Sequence, residues 1–296
     1  MELPLVVGVD GSEPSMRAVD WAADEAALRG VPLRVVYASL WERYEGAALA
    51  EGLGRTSEQI LADRIVEAAA KRAHRRAVDL KISTEVLAED PVTALLNEGQ
   101  YASALVVGSC GRSGIAELLL GSVSLAVAAR AGCPVIVLRG SQDNRATPGM
   151  RGRIVLGVGE PAEGAQNSAA VRFAFQEAEE RRVVLEAVRA WRCPAHETTD
   201  HPMLAQEPAR LHERRAADEL DAALRDVVAD HPAVRLERRT VEGTARSVLL
   251  GASTGADLLV VGARRRRGHL GLQLGRVAHT VLHHSACPVA VVPQPA

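Results

Sequence analysis

The chain has 296 residues, 47% of them apolar and 24% charged, which fits a soluble globular protein long enough for two domains. Its net charge of −2 gives no field to steer a polyanion, so nucleic-acid binding is disfavoured. No basic and apolar leader opens the chain, and no apolar run approaches the ~20 residues of a membrane span, so the expected setting is cytoplasmic without membrane contact.

In chain order, short apolar runs alternate with longer segments of helical period, which predicts a parallel sheet with helices on both faces. Strands are predicted near 3–9, 32–39, 81–88, 104–108 and 134–138, and helices near 13–29, 56–78, 91–101 and 122–131. Five parallel strands joined by four crossovers make a doubly wound α/β domain, whose ligand cleft lies beyond the carboxyl ends of the strands where the winding reverses. Aromatic residues are only 3%, so the core must be built from Ala, Val and Leu.

The second half repeats the first. Gly108 and Gly262, Gly121 and Gly275, and Cys133 and Cys287 each stand 154 residues apart. "PLVVGVDGS" is answered by "RIVLGVGEP", and "AGCPVIVL" by "SACPVAVV". The Gly/Pro/polar stretch between them reads as a linker, giving a first domain at 1–140, a linker at 141–152 and a second domain at 153–296. Cys110, Cys133, Cys193 and Cys287 show no CxxC or metal-ligand spacing, so reduced thiols and no metal centre are expected.

The stretch "GSCGRSGIAELLLGS", residues 108–122, leaves one predicted strand and enters the next helix. Such a loop presents backbone N–H groups and a helix N-terminus to an anion, with Ser122 adding a hydroxyl. Gly108 and Gly111 let the backbone turn and approach a ligand, and Gly121 removes a side chain where phosphates would pass. The other reading of these glycines is tight turns alone. Asp10, at the end of the first strand, likewise has two readings: an acceptor for a ribose hydroxyl, an adenine amino group or a metal-bound water, or a turn and cap residue in "DGSEPS". Neither GxxxxGK[ST] nor a GxGxxG after the first strand is present.

With "VGVDGS" before it and "CPVIVL" after it, the glycine pattern resembles the ATP-binding branch of the universal stress protein family in its tandem form. The resemblance implies two Rossmann-like doubly wound domains, each a five-stranded parallel sheet with about four helices. It implies ATP in the first domain, with Mg2+ held by the phosphates. Asp10, with Gly11 and Ser12, would lie near adenine and ribose; Gly108, Ser109, Gly111, Arg112, Gly121, Ser122, Val123 and Ser124 would surround ribose and phosphates. It also implies pairing through the last strands, either between the two halves or in a homodimer.

The second half departs from this pattern. Gly159 stands for Asp10, Arg265 for Gly111 and Arg276 for Ser122, while Gly262 and Gly275 persist, so a degenerate second site is expected. Its arginines either occupy the phosphate volume or recruit another anion. "RRRR" at 264–267 reads as a solvated run, and His279, His283 and His284 as a polar helix face without a third metal ligand in register. The expected function is an ATP-binding stress-response protein, a nucleotide-dependent sensor or a switch for an unidentified protein partner. Its rivals are a slow Mg-dependent ATPase using Arg112 and Ser122, and an interaction scaffold with vestigial nucleotide sites.

Overall fold

The computed structural model describes residues 2–40, 57–109, 120–139, 152–159, 168–194, 202–264 and 274–294. The chain divides into two compact units, Met1–Pro148 and Gly149–Ala296.

In the first unit, β1 (Leu5–Gly8), α1 (Glu13–Arg29), β2 (Leu33–Ala38), α2 (Ser57–Arg76), β3 (Ile82–Leu87), α3 (Pro91–Glu98), β4 (Ala104–Gly108), α4 (Ser122–Arg130) and β5 (Val135–Leu138) follow one another. All their strand pairings are parallel, in the order β3-β2-β1-β4-β5. The apolar runs form strands because both faces are covered: Leu5, Val6, Val7, Leu105 and Val106 are fully buried. α1 and α2 pack together, as do α3 and α4, in the doubly wound arrangement expected from the alternating pattern.

α1 begins at Ser12, whose side chain accepts the Ser15 N–H, and Pro14 in its first turn needs no hydrogen-bond acceptor. It is tied to α2 by paired guanidinium–carboxylate contacts, Arg72 to Asp20 at 2.7 and 2.8 Å and Arg76 to Asp24 at 2.5 and 2.8 Å. The helix predicted to reach residue 101 stops at Glu98, and a 3-10 turn covers Gly99–Tyr101. There a Cβ at residue 99 would stand 2.8 Å from Leu105 Cδ1, so this turn lies close on β4.

The second unit repeats the sequence of elements: β6 (Arg153–Gly157), α5 (Ala169–Arg181), β7 (Val184–Trp191), α6 (Pro202–Asp230), β8 (Leu236–Glu242), α7 (Ala245–Ser253), β9 (Leu258–Arg264), α8 (Arg276–His284) and β10 (Val289–Gln294). Its order is β8-β7-β6-β9-β10, again with parallel pairings. Phe175, Leu220, Leu224 and the β9 residues Leu258 and Leu259 are among its largest fully buried side chains. Gly8 faces Leu95 in the first unit as Gly157 faces Leu249 in the second, so α3 and α7 take equivalent places on their sheets.

One close approach fixes the carboxyl edge of the first sheet. A Cβ at Gly108 would lie 2.8 Å from the Pro14 carbonyl carbon and 2.9 Å from its oxygen. Backbone atoms cannot rotate away, so Gly108→Ala is expected to destabilise the full chain by about 1–3 kcal/mol, read from its urea unfolding midpoint. An unchanged midpoint would contradict this close packing.

Cys133, between α4 and β5, is 8% exposed, and burial pushes its thiol from 9.0 up to about 11. A raised native pKa means that the folded state holds the proton more tightly than the unfolded one. The associated stability is whole below about 9 and is lost as the pH rises toward about 11. At pH ~8, thiol labelling followed by peptide mass spectrometry is expected to leave Cys133 unmodified in the native chain and to modify it in urea.

Candidate functional site

In the first unit the chain leaves β1 toward β2 on one side, while β3 returns across the sheet to β4 on the other. The carboxyl ends of β1 and β4 therefore part at a topological switch point, the usual place for a ligand in an open α/β sheet.

Asp10 follows β1 and is half-buried. Its Oδ1 accepts the Ser12 N–H at 3.0 Å and the Ser12 hydroxyl at 2.6 Å, closing an Asx turn through Gly11 at φ 84°, where a side chain would be strained. Ser15 completes the turn: its hydroxyl donates to the Ser12 carbonyl at 2.8 Å and accepts the Asp10 N–H at 3.4 Å. The carboxylate thus holds the entry into α1 at the edge of the switch point, which fits the turn reading of Asp10 and leaves its use toward a ligand open to the same carboxylate.

On the β4 side, the Gly121 N–H donates to the Ser109 carbonyl at 2.7 Å and brings the chain back to the end of the strand. α4 starts there with Gly121 as its N-cap, a residue with no side chain to accept from the first turn. The N-terminus of this nine-residue helix, with the positive end of its dipole, lies beside the end of β4, and Ser122 at its first position is exposed. Ser124 serves the framework: it is buried, and its hydroxyl donates to the Gly108 carbonyl at 2.7 Å. Gly111 and Arg112, and with them the body of the glycine loop, lie outside the described residues.

The second unit has a different cleft. The Gly159 carbonyl, at the position of Asp10, accepts Arg189 Nη1 at 2.6 Å, and Arg189 Nη2 pairs with Glu219 of α6. Arg189 is 7% exposed and stands near the end of β7, so a guanidinium and its counterion fill the mouth of the switch point. Gly262 lies under the Gln294 side chain, 3.0 Å from Nε2 to an added Cβ, whereas Gly108 lies under helix backbone. Gln294 Oε1 accepts from the Ser168 hydroxyl at 2.9 Å and the Ala169 N–H at 3.1 Å, capping α5 from β10. Gly275 is the N-cap of α8, and Arg276 is exposed at its first position; Arg265 lies outside the described residues.

Sequence reading missed Ser15, Arg189 and Gln294. An arginine inside the run "VLEAVRAW" was the available signal for Arg189. The histidines of α8 stack ring on ring: His279 and His283 have centroids 4.5 Å apart at 31°. Among the described residues no helix is long and apolar enough to cross a membrane.

Residues 3–139 and 150–293 each match the Universal stress protein family. A universal stress protein of Mycobacterium tuberculosis is 31% identical over 309 residues, covering 98% of this chain and 97% of that protein. One from Mycolicibacterium smegmatis is 35% identical over 313 residues, at 98% and 97% coverage. Among solved structures, a universal stress protein from Archaeoglobus fulgidus shares the fold over 99% of this chain and 98% of its own, with a TM-score of 0.65 at 16% identity. With two matched domains in one α/β chain, the protein belongs to the universal stress protein family as a tandem member.

Proposed function

We propose that the first domain, residues 1–140, binds one ATP with Mg2+ held by its phosphates, and that the protein acts as a nucleotide-dependent switch toward a protein partner. The observation that carries this reading is the 2.7 Å bond from the Gly121 N–H to the Ser109 carbonyl. It brings the N-terminus of α4 to the end of β4 at the switch point, which supports a reading in which an anion meets helix N–H donors and a nucleoside meets the Asp10 carboxylate.

In this reading Asp10 accepts from ribose or adenine, and Ser122 and Val123 donate backbone N–H groups to the phosphates. Gly121 keeps their approach open, and Gly111 and Arg112 complete the cradle. Bound Mg2+ neutralises phosphate charge; no carboxylate platform for a dedicated phosphotransferase is needed. The second cleft supports one site per chain rather than two, since Arg189 and Glu219 stand where a nucleoside would enter, and Gly159 in the place of Asp10 brings no carboxylate.

Titration calorimetry of ATP into the full chain is expected to give one site. Asp10→Asn retains an acceptor for the Ser12 N–H and so keeps the turn, yet is expected to weaken binding about tenfold or more by removing the charge. Gly121→Val is expected to abolish binding with an unchanged unfolding midpoint. Two equivalent sites, or wild-type affinity in both variants, would overturn the assignment. Steady-state phosphate release that disappears in Ser122→Ala would favour a slow ATPase, and no nucleotide binding at all would favour a scaffold.

A further inference from the structure

The two units put different chemistry between the sheet and the helix that follows its third strand. In the first, Arg34 of β2 donates Nε to Glu98 Oε2 at 2.7 Å, and Nη2 to Glu98 Oε1 at 3.1 Å and to Glu85 Oε2 at 3.3 Å. The hydrogen bonds it donates to Glu98 hold the Arg34 pKa above its ordinary value, so the last residue of α3 grips a cation on the sheet.

The second unit inverts this arrangement. With α7 in the place of α3 and β7–β8 in the place of β2–β3, Glu186 stands for Arg34, Arg239 for Glu85 and Ala252 for Glu98. Glu186, 3% exposed, is held by Arg153 Nη1 at 2.8 Å and Arg239 Nη1 at 3.1 Å. Glu186 is shared between two guanidinium groups, and Asp257 accepts the Arg153 N–H at 3.0 Å, while among the described residues Arg239 has Glu186 as its single ion-pair partner.

Ala252, in the place of Glu98, has no carboxylate to offer this cluster. An open hollow of about 420 Å³ lies beside it, lined by Val188, Val241, Val248 and Ala252 together with Arg239 and Ser247. Gly251 also lines it, inside α7, where an added Cβ would meet nothing within 4 Å. Glycine weakens a helix interior relative to alanine, and no neighbour of Gly251 requires it, so the residue leaves the cavity open without a packing reason.

We propose that this cavity binds a short aliphatic monocarboxylate, whose carboxylate pairs with the edge of Arg239 turned away from Glu186 and whose chain lies on Val188, Val241 and Val248. A space of this size lined by aliphatic side chains and one cation is suited to such a ligand. The occupant's carboxylate faces Arg239, which stands where Glu85 stands in the first unit, and is held away from Glu186. The site is separate from the switch-point cleft of the first unit.

The test is a 15N NMR titration of the full-length chain with hexanoate, and with hexanamide as its uncharged counterpart. Hexanoate is expected to give saturable shifts at the amides of Val241, Ser247 and Gly251 with a Kd of roughly millimolar order. Hexanamide is expected to give none. Arg239→Met should weaken hexanoate binding about tenfold. Gly251→Leu, which has room and improves the helix, should remove binding without lowering the thermal midpoint. Saturating ATP should leave the titration unchanged, which separates this site from the proposed nucleotide site. An absence of saturable shifts, equal response to hexanamide, undiminished binding in Gly251→Leu, or displacement of hexanoate by ATP would each overturn the proposal.

Discussion

The first turn of α1 rests directly on the end of β4, and the missing side chain at Gly108 is what allows it. With Pro14 and Ser15 backbone atoms within 3.0 Å of where a Cβ would stand, this contact sets how the chain can leave β1. The Asp10–Ser12–Ser15 turn is its upstream half. The Gly108 carbonyl takes the Ser124 hydroxyl, so α4 is registered to the same strand end. A single residue, through an absent Cβ and a present carbonyl, thereby locates β4, α1 and the start of α4 together.

The second unit keeps the strand order and changes how its carboxyl edge is held. α1 is capped by Ser12 within its own turn, whereas α5 is capped by Gln294 from the far end of the unit. Gly262 faces that side chain, which has rotamer freedom that the backbone under Gly108 lacks. The mouth that carries a carboxylate in one unit carries the Arg189–Glu219 pair in the other. Duplicated strands have been retained while the groups at their ends have been exchanged, as expected where core packing constrains the strands more tightly than any single ligand constrains the loops.

The strands were legible because a parallel sheet covered on both faces reads as short continuous apolar runs, as in "LVVG" at β1 and "ALVVG" at β4. The start of α1 was legible from Ser12 and Pro14. The end of α3 was not, because the turn after it lies close on Leu105, a contact that the local sequence does not carry. At the site, Asp10 could be assigned to the strand end but not to a particular use. The same holds for Ser124, whose partner Gly108 is 16 residues away. Arg189 with Gly159 and Ser168 with Gln294 are separated by 30 and 126 residues, so they become neighbours only after the sheet has assembled.

The inverted charges beneath α3 and α7 also bear on how two near-copies on one chain avoid exchanging parts. Repeat proteins are prone to misassembly when an element of one copy docks on the other. If α3 landed on the second sheet, Glu98 would come against the buried Glu186, and like charges placed together away from water repel. If α7 landed on the first sheet, Ala252 would offer Arg34 no carboxylate in place of Glu98. Ionic contacts of opposite sense in otherwise similar halves therefore act as address labels, directing each helix to its own sheet while the aliphatic surfaces alone would accept either.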